Sequence, residues 1–163
     1  MPLSPDWSLF FAAQLGALAA LTGFIVVAIS INLARILTYP HLPGRAGESL
    51  IGPVSAIVAT SLVLIPEQPA LLLGVEVAAV GAVALLAPIV FQARSWSARP
   101  GVTATERIIR AATSSAIGAL IFIGGAVLAA NARAGLYWIA AGDIISIIAV
   151  VMSAWVLLIE IMR

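Results

Sequence analysis

Five apolar runs divide this sequence, each close to the roughly 20 residues that an α-helix needs to cross the hydrocarbon core of a bilayer. They cover residues 7–36, 49–65, 70–91, 108–130 and 137–161. The first is long enough to tilt or to extend beyond the bilayer. The second is the shortest and carries Pro53 in its expected first turns, where a missing N–H breaks no helical hydrogen bond. Composition agrees with this reading. Of the 163 residues, 63% are hydrophobic and only 9% are charged, whereas soluble domains use about 25% charged residues. The expected fold is an all-α integral membrane protein, a single domain over 1–163 built as a bundle of five transmembrane helices.

The breakers fall between the runs. Residues 38–47 (TYPHLPGRAG) carry two prolines and two glycines, 65–69 (IPEQP) read as a tight polar turn, and 131–135 (NARAG) as another. Residues 92–106 (QARSWSARPGVTATE) form the only sizeable loop. Short turns make successive helices antiparallel neighbours. The second and third runs also admit a re-entrant pair. No internal repeat is visible, and an odd helix count does not fit two inverted halves.

Cationic residues set the orientation. Arg35, Arg45, Arg94, Arg99, Arg107, Arg110 and Arg163 fall on one side of a five-helix chain, and Arg133 alone on the other, with Asp6 and Glu67. By the positive-inside rule, the N-terminus is outside and the C-terminus cytoplasmic. The start, MPLSPDWSLFF, has no charged leader region, so no cleaved signal peptide is expected. All eight cations are arginine, which with the abundant Ala, Gly and Val points to a high-GC bacterium and its inner (plasma) membrane. Trp7, Tyr39, Trp96, Tyr137 and Trp138 lie at expected interfaces, where amphipathic rings settle. Trp155 lies deeper and is expected to pack on a neighbouring helix.

Several chemistries are excluded. With no cysteine and the single histidine His41, the chain has neither thiolate nor histidine-cluster metal sites. Without lysine there is no phosphate-binding Walker loop, and no nucleophile motif appears. A net charge of +1 gives no basic stripe for nucleic acid. Neither an enzyme nor a cofactor is expected. His41 reads as a solvated loop residue.

Two carboxylates interrupt the apolar runs. Glu76 and Asp143 each lie about seven residues inward from an outer turn, so at 1.5 Å per residue both sit roughly 10 Å deep. Gln14, Thr60 and Ser61 reach a similar level from other helices. An acid in hydrocarbon is costly and normally faces protein or water. This layer therefore reads either as a cation or proton site, in which two neighbouring acids share one proton, or as hydrogen-bonded glue between helices. Arg133 could also snorkel inward to pair with an acid. In the fifth run Asp143, Ser146, Ser153 and Glu160 share an arc of roughly 100°, which reads as a polar path or a helix seam. In the first run Gly16, Ala20, Gly23, Val27, Ser30 and Ala34 form a small-residue stripe expected to pack on another helix. Gln14, Leu21, Ile25 and Asn32 share the opposite face. Gly74, Ala78 and Gly81 in the third run, and Gly118, Gly124 and Gly125 in the fourth, have the same close-packing character.

The stretch GLYWIAAGDIISIIAVVMSAWVLLIEIMR, with LTGFIVVAISINLARIL and LPGR, resembles a family of small multi-pass membrane proteins of actinobacteria, some of which carry the label of modulator of the FtsH protease. That resemblance covers most of the chain and implies a protein partner. Leu21–Ile29 (LTGFIVVAI) is similar over nine residues to the pore-lining first helix of Orai calcium channels. The pore glutamate of that family falls near Ile31 here, and its members have four spans and a cytoplasmic N-terminus. Two functions are thus expected: a homo-oligomeric cation or proton channel or transporter, or an accessory subunit of a larger membrane complex such as a membrane protease or respiratory assembly. Both place the chain in a lipid bilayer and leave no role for nucleic acid.

Overall fold

The computed structural model describes residues 3–38, 42–94 and 104–155. Among them are six helices: α1 (Pro5–Ile31), α2 (Leu33–Thr38), α3 (Leu42–Val63), α4 (Ala70–Arg94), α5 (Ala104–Ala129) and α6 (Gly135–Trp155). Four are long and apolar enough to cross a membrane: α1, α3 from Ala46, α4 to Val90, and α6. The fourth sequence run corresponds to α5, of 26 residues, in which Ser115–Ala129 is a shorter apolar stretch among the described residues. Large apolar side chains such as Leu9, Val27, Leu71, Val83, Ile148 and Met152 are exposed along the helices, as expected where lipid rather than water is the neighbour. The architecture is compatible with a multi-pass membrane protein.

Helix starts and stops follow local chemistry. Pro5 opens α1 at a position where proline's fixed φ suits a helix. The expected continuous helix over 7–36 is interrupted at Asn32, whose φ of −95° and ψ of 8° separate α1 from α2. The Asn32 side-chain amide donates to the Ala28 carbonyl at 3.0 Å, and a polar side chain competing in this way loosens the backbone ladder. The expected loop over 38–47 is also revised, because α3 is already helical from Leu42. Pro43 falls in its first turn, where proline favours helix initiation. Pro53 consequently lies well inside α3 rather than near its start. At the α5 end Asn131 takes a left-handed φ of 63°. The Asn131 N–H donates to Leu128 O at 2.9 Å and the Ala132 N–H to Val127 O at 3.1 Å, a Schellman closure that satisfies the last carbonyls.

The helices run up and down. The Trp7 ring meets the Tyr137 ring at 4.9 Å, so the starts of α1 and α6 lie at one end, hereafter the Trp7 end. Farther along, Ile25 and Ala28 of α1 pack with Val150 and Ala154 of α6, so these two helices are parallel. α3 is antiparallel to both: Val63 joins Phe11 and Leu136, while Leu50 reaches the Ile25 cluster. α3 touches α1, α4, α5 and α6, whereas α4 makes no contact with α1 or α6 among the described residues.

The closest pairing joins α4 to α5. A Cβ added at Gly74 would stand 2.2 Å from the Ala129 nitrogen, at Gly81 2.3 Å from that of Phe122, at Gly125 2.3 Å from that of Ala78, and at Gly118 2.3 Å from that of Leu85. Backbone thus lies on backbone along this seam, the arrangement that small residues permit between membrane helices. Pro88 within α4 removes one helical hydrogen bond and crowds the carbonyl four residues earlier. The Ser115 hydroxyl of α5 donates to the Leu85 carbonyl at 3.0 Å, a side-chain bond across the seam next to the Ala84 carbonyl that Pro88 leaves without its helical donor.

Two expectations about packing are corrected. Gly16 and Gly23 of α1 have nothing within 4 Å of an added Cβ, and Ala20, Val27, Ser30 and Ala34 are exposed with them. The α1 stripe therefore faces outward, because α1 docks through Phe11, Leu18, Thr22, Ile25 and Ala28. Trp155 is 59% exposed rather than packed on a neighbour.

A candidate ion site between three helices

Interior polar residues stand on α1, α3 and α6, which touch one another pairwise. Asp143 is fully buried on α6. Its Oδ2 accepts a hydrogen bond from the Thr60 hydroxyl of α3 at 2.7 Å. Its other oxygen, Oδ1, is buried without a hydrogen-bond partner. One helical turn along α6, the fully buried Ser146 hydroxyl also has none. On α1, Gln14 sits between Phe11 and Leu18 of the docking face, with its Oε1 buried and unpartnered. Since Trp7 is level with Tyr137 and the two helices are parallel, Gln14 and Asp143 lie within about one residue's rise of the same height.

No described cation reaches this carboxylate. Arg133, a candidate partner from the sequence, is exposed in the α5–α6 turn. The remaining surroundings are apolar. Phe11, Leu18, Ala59, Val63 and Ile139 are buried on the Trp7 side and around the site. Beyond it, Ile25, Ala28, Ile36, Val150 and Ala154 pack as a second, dry cluster. A cleft of about 270 Å³ opens at the Trp7 end beside Leu3, Ser8 and Pro66. Its wall includes Val63, one helical turn from Thr60.

The expected polar layer is only partly assembled. Asp143 and Thr60 are joined by a hydrogen bond, and Gln14 lies at about the height of Asp143 on α1. Glu76 does not join them, because it stands on α4, which touches neither α1 nor α6. The Glu76 carboxylate instead accepts a hydrogen bond from the Gln68 side-chain amide. Ser61 is exposed, and its hydroxyl donates to Ile57 O of its own helix at 2.7 Å. Two acids therefore do not share a proton here.

The expected polar path along α6 is also discontinuous. Ser146 is fully buried, but Ser153 is only half-buried, with Val150 sealed between them. Glu160 lies outside the described residues. Asn32 is buried at the far end of α1 and is bonded within its own helix.

Two interior groups were missed by the sequence reading. Gln68 is buried in the turn between α3 and α4; an amide flanked by prolines, eight residues before an intramembrane acid, was the available signal. Thr22 is buried on α1 with its hydroxyl unpartnered, and its 3–4 spacing from Leu18 and Ile25 marks the docking face. Tyr39, His41, Trp96, Arg99 and Arg163 lie outside the described residues. Compared with known proteins, the chain matches no family model, no curated protein and no solved structure.

Proposed function

We propose that this chain is a multi-pass transport protein of a bacterial plasma membrane that carries a proton or small cation through Asp143. In this reading all five long helices cross the bilayer, the Trp7 end is outside and the arginine-rich end is cytoplasmic. One observation carries it: a fully buried carboxylate keeps an unpartnered oxygen in a junction of three helices with no described cation beside it. A buried charge requires compensation by a proton, a cation or a fixed partner. The site belongs to each subunit's own interior rather than to an axis between subunits. The apolar cluster below it closes one side, which favours a site exposed alternately to the two faces over an open pore.

The test is flux. Protein reconstituted in liposomes should move protons or alkali cations, and Asp143→Asn should suppress that flux. Glu76→Gln, outside the junction, should retain most of it. Silence of the folded wild type across voltage and pH gradients refutes the transport reading.

A specific feature supports the accessory reading as well. The outward stripe of Gly16, Ala20 and Gly23 allows another membrane helix to approach closely, either a second copy or a subunit of a larger assembly such as a membrane protease. Copurification from native membranes at fixed stoichiometry, lost in Gly16→Leu and Gly23→Leu, supports this role. Recovery of the wild type without any partner counts against it.

A further inference from the structure

Helical hydroxyls normally satisfy themselves on the preceding turn. Ser30 donates to Val26 O, Thr38 to Ala34 O and Ser61 to Ile57 O, each on its own helix. Ser146 departs from this habit although it is fully buried, where a missing hydrogen bond is costly. Its hydroxyl, Asp143 Oδ1 and Gln14 Oε1 are all unpartnered oxygens; Ser146 stands about one turn from Asp143 on α6, and Gln14 lies at about the height of Asp143 on the adjacent α1.

A proton on Asp143 supplies one new donor. The Thr60 hydroxyl already occupies Oδ2, so that donor would serve one of the two remaining oxygens. The amide oxygen of Gln14 can only accept. A bare cation attracts all three oxygens at once. Hard cations prefer such neutral and carboxylate oxygens. Charge selects the valence: among the described residues no three acidic or histidine side chains gather, and the junction offers one carboxylate. A monovalent ion leaves it neutral, whereas a divalent ion leaves a net buried charge.

We infer that Asp143 Oδ1, Ser146 Oγ and Gln14 Oε1, steadied by Thr60 on the second carboxylate oxygen, bind a dehydrated alkali cation of the size of sodium. This assignment rests on the transport reading for its purpose but not for its test. The site takes its ligands from α1 and α6, and Thr60 ties the carboxylate to α3. Loading the site therefore draws the three helices together.

The experiment measures binding directly on the purified full chain in detergent. Thermal unfolding is followed in sodium, lithium, potassium and choline chlorides at equal ionic strength. Saturating sodium should raise the midpoint over choline by roughly 5–10 °C. Radiolabelled sodium should bind at about one ion per chain, the single-site case, and be displaced by unlabelled sodium. Ser146→Ala removes one oxygen with little change of volume and should weaken sodium binding about tenfold, the scale of one contact to a charge. Asp143→Asn should abolish it, and Ser146→Ala keeps the test open if that variant fails to fold. Equal midpoints in sodium and choline with no displaceable sodium overturn the inference, as does sodium binding unchanged in both variants. Proton flux without sodium binding overturns the sodium site and leaves the transport reading standing. Sodium binding without any flux does the reverse.

Discussion

Replacing Gly125 with alanine adds one methyl group where the structure has no room for it. The added Cβ would lie 2.3 Å from the Ala78 nitrogen, 2.7 Å from the Ala78 Cα and 2.7 Å from the Gly74 carbonyl oxygen. All three are backbone atoms, so no side chain can swing away. Ordinary contact begins at 3.4 Å, and α4 and α5 must separate locally by roughly 1 Å. A gap of that size forfeits a quarter to a half of each dispersion contact along the seam. The neighbouring Gly74, Gly81 and Gly118 contacts share the displacement. Overpacking of a filled interface costs about 1–3 kcal/mol, and the rigid backbone on both sides places this site at about 3 kcal/mol. For a chain of this size that corresponds to a fall in unfolding midpoint of roughly 6–12 °C. Thermal unfolding in detergent, read by loss of monodisperse protein and by helical signal, measures it. Gly16→Ala is the internal control, because an added Cβ there meets nothing within 4 Å. That control should unfold within about 2 °C of wild type, as exposed substitutions do. If Gly125→Ala is as stable as Gly16→Ala, the close approach of α4 and α5 is wrong.

Other expectations concern single interactions. Thr60→Val keeps the side-chain shape but strips the hydrogen bond from Asp143 Oδ2, and should destabilise by about 1–3 kcal/mol; an unchanged midpoint would show that the pair does not form. Glu67 holds a left-handed φ of 57° in the α3–α4 turn, so Glu67→Gly should raise stability by up to about 1 kcal/mol, and a loss would contradict that geometry. Ser115→Ala removes the side-chain hydrogen bond that ties α5 to the Leu85 carbonyl of α4 and should cost about 1 kcal/mol, measured against wild type in the same unfolding assay. For orientation, single cysteines at Ser4, Ser97 and Arg133 of this cysteine-free chain should differ: an impermeant thiol reagent should label positions 4 and 133 on intact cells but spare 97. Labelling of 97 alone would invert the bilayer orientation.

The helices were legible because apolar length and breaker chemistry act locally. The small-residue faces of α4 and α5 were legible too, since Gly74, Ala78 and Gly81 recur at the spacing that puts small residues on one face, but that these two faces meet each other was not. Counting residues inward also brought Asp143, Thr60 and Gln14 to one level. The same count placed Glu76 there, and it misled, because height along a helix says nothing about which helices are neighbours. That order is set by the packing of α3, which touches every other described helix. The α1 stripe misled for a related reason. Small residues permit close approach, but the larger Phe11, Leu18 and Ile25 on the opposite face bury more apolar surface and take the interior position. Pro43 looks like a breaker in the sequence, but at a helix start proline acts as an initiator, so α3 begins earlier and Pro53 lies inside it.

The hydrogen bond between Thr60 and Asp143 joins positions 83 residues apart, and this separation orders assembly in time. The α4–α5 pair contains its whole seam within a short stretch of chain, so it can dock as soon as its two helices are formed. The polar junction instead waits for the last helix. Until α6 arrives, Thr60 has no carboxylate to meet, and closing so long a loop is entropically slower than zipping a hairpin. The sensitive chemistry is therefore completed last, on a scaffold already formed by its neighbours. A chain stalled before Asp143 would carry the framework without the charge.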